Sequence, residues 1–230
     1  MKYLNVLIVA VLLLAACKKT EFKTTAMGSL KIVNTVSSGA AVRLGATPTL
    51  VNNNAAIDFS VYAGNPDIYV WAVGDSLHPI YNSNKMLAVA DRDIYTLFLG
   101  GSNVAREAIL VKENIPVRSD STAGVRIINL SPGSPDIKVT LSTSVGVSEF
   151  GNIAYKQLTE FKSYPALSTN TAYTFQFRNA ATNALISSIT MSGATLAAFV
   201  PRFRNVTLVL RGVVGGSPAA GVTRVNHYPL

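Results

Sequence analysis

Val125-Arg126-Ile127-Ile128-Asn129-Leu130-Ser131-Pro132-Gly133-Ser134-Pro135-Asp136-Ile137-Lys138-Val139 holds two short apolar runs split by a turn that no helix could carry. Pro132, Gly133 and Pro135 punctuate the chain, and the flanking runs are short and β-branched, which is the signature of two strands. The first run has a counterpart upstream. Leu30-Lys31-Ile32-Val33-Asn34 matches residues 125–129 position for position, and without a gap Val42-Arg43-Leu44 matches Ile137-Lys138-Val139. Three further matches follow in the same order. Asp58-Phe59-x-x-Tyr62 pairs with Glu160-Phe161-x-x-Tyr164, Tyr69-x-Trp71 with Tyr173-x-Phe175, and Thr96-Leu97-x-Leu99-x-Gly101 with Thr207-Leu208-x-Leu210-x-Gly212. The offset between copies grows along the series, so insertions fall between the matched segments. That is the behaviour of strands joined by loops of variable length. The chain therefore reads as two copies of one domain.

Each copy is strand-rich. The first offers candidates at 30–36, 57–62, 68–73, 85–89, 94–99 and 108–112; the second at 125–130, 137–141, 161–164, 172–178, 185–191, 194–200, 205–211 and 222–227. A hydrophobic fraction of 49% over 230 residues is enough for a sizeable core, and a charged fraction of only 14% suits strands and turns better than helices. The expected fold class is all-β, with two tandem immunoglobulin-like β-sandwich domains. The boundaries expected are a first sandwich over 28–117, a polar, Pro-flanked linker over 118–123 and a second sandwich over 124–230. One large sandwich or barrel with an internal duplication is the alternative. Cys17 is the single cysteine, so hydrophobic association rather than disulfides has to stabilise the domains.

The N-terminus has its own pattern: Met1-Lys2, an apolar run, then Leu14-Ala15-Ala16-Cys17. This resembles the lipobox of bacterial lipoproteins, in which small residues precede a Cys that is lipidated and becomes the new N-terminus. On that resemblance residues 1–16 are a signal peptide and 17–27 comprise the lipidated Cys17 and a flexible tether. The apolar run is too short for a comfortable span, which needs ~20 residues. An uncleaved anchor helix and an ordinary signal cut after Ala16 are the competing readings. The expected place is the outer membrane, lipid-anchored, with the periplasmic or extracellular face left open. Lys18, Lys19 and Lys23 could touch anionic head groups or simply be solvated.

The run at 126–139 also resembles the opening of the domain of unknown function 4397 family, whose first strand ends in an Asn-x-Ser-Pro-x-x-Pro turn. Ile94-Tyr95-Thr96-Leu97-Phe98-Leu99-Gly100 is similar to a later strand of that family. The first copy departs from the pattern with Thr35-Val36-Ser37-Ser38, and the second with Asn205-Val206-Thr207, which lacks the Tyr. The resemblance implies secreted or lipid-anchored β-sandwich domains. It implies no activity.

Chemistry is sparse. His78 and His227 are the only histidines, and both read as surface or edge residues. There is no GxSxG and no phosphate-binding glycine loop. Asp91-Arg92-Asp93 has acidic residues that a cation would like, but it reads better as a polar hairpin turn. Asp58 and Glu160 fall at equivalent repeat positions, which favours a structural role over a glycosidase pair. Tyr69, Trp71, Tyr81 and Phe98 could make a stacking surface, yet core packing is the better reading. Arg202, Arg204 and Arg211 form the densest basic cluster outside the tether, read as a solvated strand face or a small anion patch. The formal net charge of +8 is spread singly along the chain, so a nucleic-acid partner is not expected. No cofactor, metal or catalytic residue is expected. The function expected is a non-enzymatic, lipid-anchored cell-envelope binding or structural module for a glycan, peptide or protein partner. The alternatives are an accessory enzyme of surface glycan processing and an adhesin or fimbria-like subunit.

Overall fold

The structure, a computed structural model, describes residues 24–167, 169, 172–192, 200 and 202–227. Cys17 lies outside them, and so does the strand expected over 194–200, Val200 apart. All regular structure among the described residues is strand, sixteen strands in four four-stranded sheets. The first copy supplies β1 (Met27–Asn34), β2 (Val42–Leu44), β3 (Leu50–Val51), β4 (Ala55–Tyr62), β5 (Tyr69–Ala72), β6 (Tyr81–Asn82), β7 (Ile94–Gly101) and β8 (Arg106–Lys112). The second supplies β9 (Thr122–Asn129), β10 (Ile137–Leu141), β11 (Ser144–Ile153), β12 (Lys162–Pro165), β13 (Ala172–Asn179), β14 (Leu185–Ser192), β15 (Arg204–Arg211) and β16 (Gly221–His227).

The duplication is visible in the topology. One sheet of the first copy runs β4-β1-β7-β8 and the other β3-β2-β5-β6; the second copy repeats this as β12-β9-β15-β16 and β11-β10-β13-β14. Even the parallel pair recurs in register: Lys31 lies opposite Thr96, and Arg126 opposite Thr207. Each copy is a two-sheet sandwich, as expected. Lettered A to H, its sheets are D-A-G-H and C-B-E-F, whereas an immunoglobulin constant domain groups A, B, E and D against C, F and G.

Alternation along the strands sorts residues between two environments. Leu30, Ile32, Leu97 and Leu99 face Val42, Val51 and Val70 in the first core; Val125, Ile127, Leu208 and Leu210 face Ile137, Val139, Phe175 and Phe177 in the second. The other face of the β1 and β9 sheets is apolar too. Val33 and Phe98 meet Ile128, Leu130, Val209 and Val225 in a third buried cluster shared by the two copies. Strands apolar on both faces belong in the interior. The four sheets thus form four layers, with β1-β7 and β9-β15 in the middle. Phe98, considered above as part of a stacking surface, is fully buried there.

Two of the sequence matches shift in register. Val125 pairs with Lys162 where Leu30 pairs with Phe59, so Val61, not Tyr62, is the counterpart of Tyr164. Val61 and Tyr164 are both buried while Tyr62 stands in solvent. The counterpart of Asp58 is accordingly Phe161, not Glu160. Likewise Arg43 lies opposite Trp71 and Lys138 opposite Arg178, which makes Arg178 the counterpart of Trp71. Trp71 is a half-buried residue on the outer face of its sheet rather than a core residue. Its indole N–H donates to Gly45 O at 2.9 Å.

The candidate at 85–89 is not a strand. Asn84 and Lys85 adopt φ of 48° and 58°, which turns the chain, and only Val89 makes a bridge, to Gly64. The ten-residue β11 was not expected. Its pairing with β10 slips register three times, so its side chains lack the clean alternation by which a strand is read.

Candidate ligand groove

The two copies lie side by side with like ends together. Near one end Arg126 and Lys31, equivalent residues, both act on His227. At the other end the segment from Thr35 to Ser38 lines a small cavity with Gly212 and Pro218, which close the hairpin after β15. The end at which β1, β7 and β9 begin is also the end that receives the chain from residue 24.

There the outer face of the β1 sheet escapes the third core and is walled by the connector that follows β8. The result is a groove of about 810 Å³. Ser29 of β1, Ser60 of β4 and Ile94 of β7 form its floor, and Asn114, Ile115 and Val117 one wall. Met27 and the Arg92-Asp93 turn close the end. That turn is rigid. Arg92 N–H donates to Met27 O at 2.8 Å, and the Asp93 carboxylate accepts from Ala90 N–H, Lys112 Nζ and the Tyr95 hydroxyl. The hydrogen bond from Lys112 is the main reason that the Asp93 carboxyl sits below the usual carboxylate range. The polar-turn reading of 91–93 is therefore supported by its partners, and Arg92 projects its guanidinium into solvent.

Behind the groove lies a buried polar band between the copies. Arg126 bridges Glu113 at 2.5 Å, with both side chains nearly inaccessible. Its Nε donates to Thr207 Oγ1 at 2.8 Å, and its guanidinium lies 4.4 Å from the Phe161 ring centre. Thr207 Oγ1 is 2.7 Å from His227 Nε2. Because the Thr207 oxygen already accepts from Arg126, its proton is free to go to His227, which fits a neutral imidazole. Burial first, then the charges of Arg126 and Lys31, hold His227 down to about 3. His227 is thus buried rather than at the surface, one of the two positions expected of it. The other expected position holds: it lies on the edge strand β16, on the sheet face that, with Val225, is turned to the first copy. Lys31 bridges Asp58 at 2.6 Å.

The remaining sequence candidates are dispersed. His78 stays at the surface of the opposite end, its Nδ1 2.7 Å from Asp75 Oδ1, while Arg106 holds the other Asp75 oxygen at 3.1 Å. The Asp75 carboxyl is lowered, chiefly by the His78 contact. Arg202 donates to Ala166 O, while Arg211 lies at the far end of β15 and donates to Thr223 Oγ1, so the three arginines make no common patch. Among the described residues no group of three His, Cys, Asp or Glu could hold a metal ion. Sequence reading missed the groove because its wall, residues 114–117, carries no motif; its place is set by tertiary contact. Neither a family model nor a curated protein matches this chain.

Proposed function

We propose that this chain is a non-enzymatic, lipid-anchored protein of the bacterial cell envelope that acts as a binding module at the outer membrane. Its partner is a glycan, peptide or protein segment taken up in the groove at the tether end. The observation that carries this reading is the make-up of the groove lining. Ile94, Ile115 and Val117 supply apolar contact, and Ser29, Ser60 and Asn114 supply hydroxyl and amide groups. Such a mixture, in a cleft of this size, is the usual composition of ligand sites. The groove's Asp93 is committed to Lys112 and Tyr95 and has a lowered pKa, a poor setting for general acid–base work near neutrality. The resemblance to the domain of unknown function 4397 family and the lipobox at Cys17 agree with a tethered scaffold.

The test is retention on an immobilised panel of cell-wall glycans and extended peptides. Ser60 is solvent-exposed on an edge strand, so Ser60→Trp fills the groove without touching a core. The wild type should be retained by at least one class of probe, and Ser60→Trp should bind it ~tenfold more weakly. Equal retention of both proteins, or retention of neither, overturns the groove as the binding site.

A further inference from the structure

We propose that the end of the double sandwich that receives the tether is a membrane-contact face, whose partner is the surface of the lipid bilayer. The proposal rests on the reading of Cys17 as the lipidated residue. Because the copies stand with like ends together, the loops that open β1 and β9 form one continuous face. Four large apolar side chains outside the groove lining project from it: Tyr62 and Met86 from the first copy, and Leu167 and Phe203 from the second. Tyr62 is 66% exposed and Met86 83%.

The turns that hold this face are strained in the same way. Lys85, next to Met86, together with Arg92 and Phe203, adopts φ between 58° and 63°, a region that bulky L-residues rarely enter. Lys85 and Arg92 add cations among the apolar groups, and the tether brings Lys18, Lys19 and Lys23, which are attracted to anionic lipid.

Geometry selects the bilayer over other occupants. Ten residues separate Cys17 from Met27, a span of at most ~35 Å fully extended. The opposite end is a further strand length away, roughly 26 Å. A chain held at Cys17 therefore stays within reach of the head groups at high effective concentration, and this face meets them with the least extension of the tether. Leu77 and Val104 are as exposed as Met86 but stand at the opposite end, and they serve as the internal control.

The experiment is amide hydrogen exchange and flotation of the full chain with vesicles of phosphatidylethanolamine and phosphatidylglycerol, beside Cys17→Ser and the double variant Met86→Asp/Phe203→Asp. Both substituted side chains of the double variant are exposed, so the fold is preserved. The expected result is slowed exchange over 62–67, 83–93 and 202–203 but not over 73–80 or 102–105. The double variant should float yet lose that protection ~tenfold. If the full chain floats and both ends exchange alike, the contact face is refuted while the anchor stands. If Cys17→Ser keeps the protection and the wild type carries no acyl mass at Cys17, the face stands and the anchor reading fails. Protection that follows protein concentration without lipid assigns the face to a second copy and refutes the proposal, and a full chain that never floats refutes both.

Discussion

His227 shows how much one residue depends on its surroundings. It is 3% exposed, accepts from Thr207 and is flanked by two cations. Folding therefore lowers its pKa from 6.5 to about 3. Between these values the unfolded chain binds a proton that the folded chain does not, so stability falls as pH falls through 6.5. The slope approaches about 1.4 kcal/mol per pH unit. Asp75, Asp93 and Glu107 are also lowered, but their contribution is lost only as pH falls through the carboxylate range, near 4 and below. Urea unfolding of the wild type from pH 6.5 to pH 4.5 should show the decline, and His227→Gln should flatten it; an unchanged slope would remove the histidine from the account. Gly212 is a second case. It and its counterpart Gly101 both have φ of 78°, and a Cβ would come within 2.4 Å of Ala219 O and 2.2 Å of Ala105 O respectively. Gly212→Ala and Gly101→Ala should each lower stability by about 1–3 kcal/mol in thermal melts. The matched Gly was legible in the sequence; its reason, a tight hairpin corner, was not.

At the scale of the element, the repeats agree best where a side chain joins one sheet to the other. Asn34 Nδ2 donates to Val51 O, and Asn129 Nδ2 to Ile153 O, each tying the end of the first strand of its copy to the facing sheet. Both residues are fully buried, so losing either amide leaves carbonyls without a donor. Asn34→Ala and Asn129→Ala should each cost about 1–3 kcal/mol, measured by chemical denaturation, and a change within a few tenths would show that water replaces the amide. Edge elements were less legible. Tyr62 and Tyr164 look alike in sequence, but a one-residue difference in register points them to opposite faces, and Trp71 is outward for a similar reason. Register depends on a partner strand distant in sequence, which a local pattern does not contain.

For the whole molecule, the third core couples the two sandwiches. Val33 and Phe98 on one side and Ile128, Leu130 and Val209 on the other are buried by each other. Arg126–Glu113 and Lys156–Glu107 add ion pairs on either side of this core. A single calorimetric transition is expected for the wild type. Phe98→Asp places a carboxylate in that core without altering either sandwich interior, and it should split the transition in two or lower its midpoint by several degrees. Two transitions in the wild type would mean that the copies fold independently.

The sequence by itself determined the duplication, the all-β class, most strand positions, the turn glycines and the lipobox-like run ending at Cys17. These are local properties, carried by alternation, turn residues and spacing. Only the tertiary structure decided that the copies share a core, that His227 is buried, that the arginines of β15 are apart, and that a groove and exposed apolar side chains lie at the end where β1 and β9 begin. Each of these depends on which distant residues meet. That choice is made by the burial of apolar strand faces against one another, not by any segment alone.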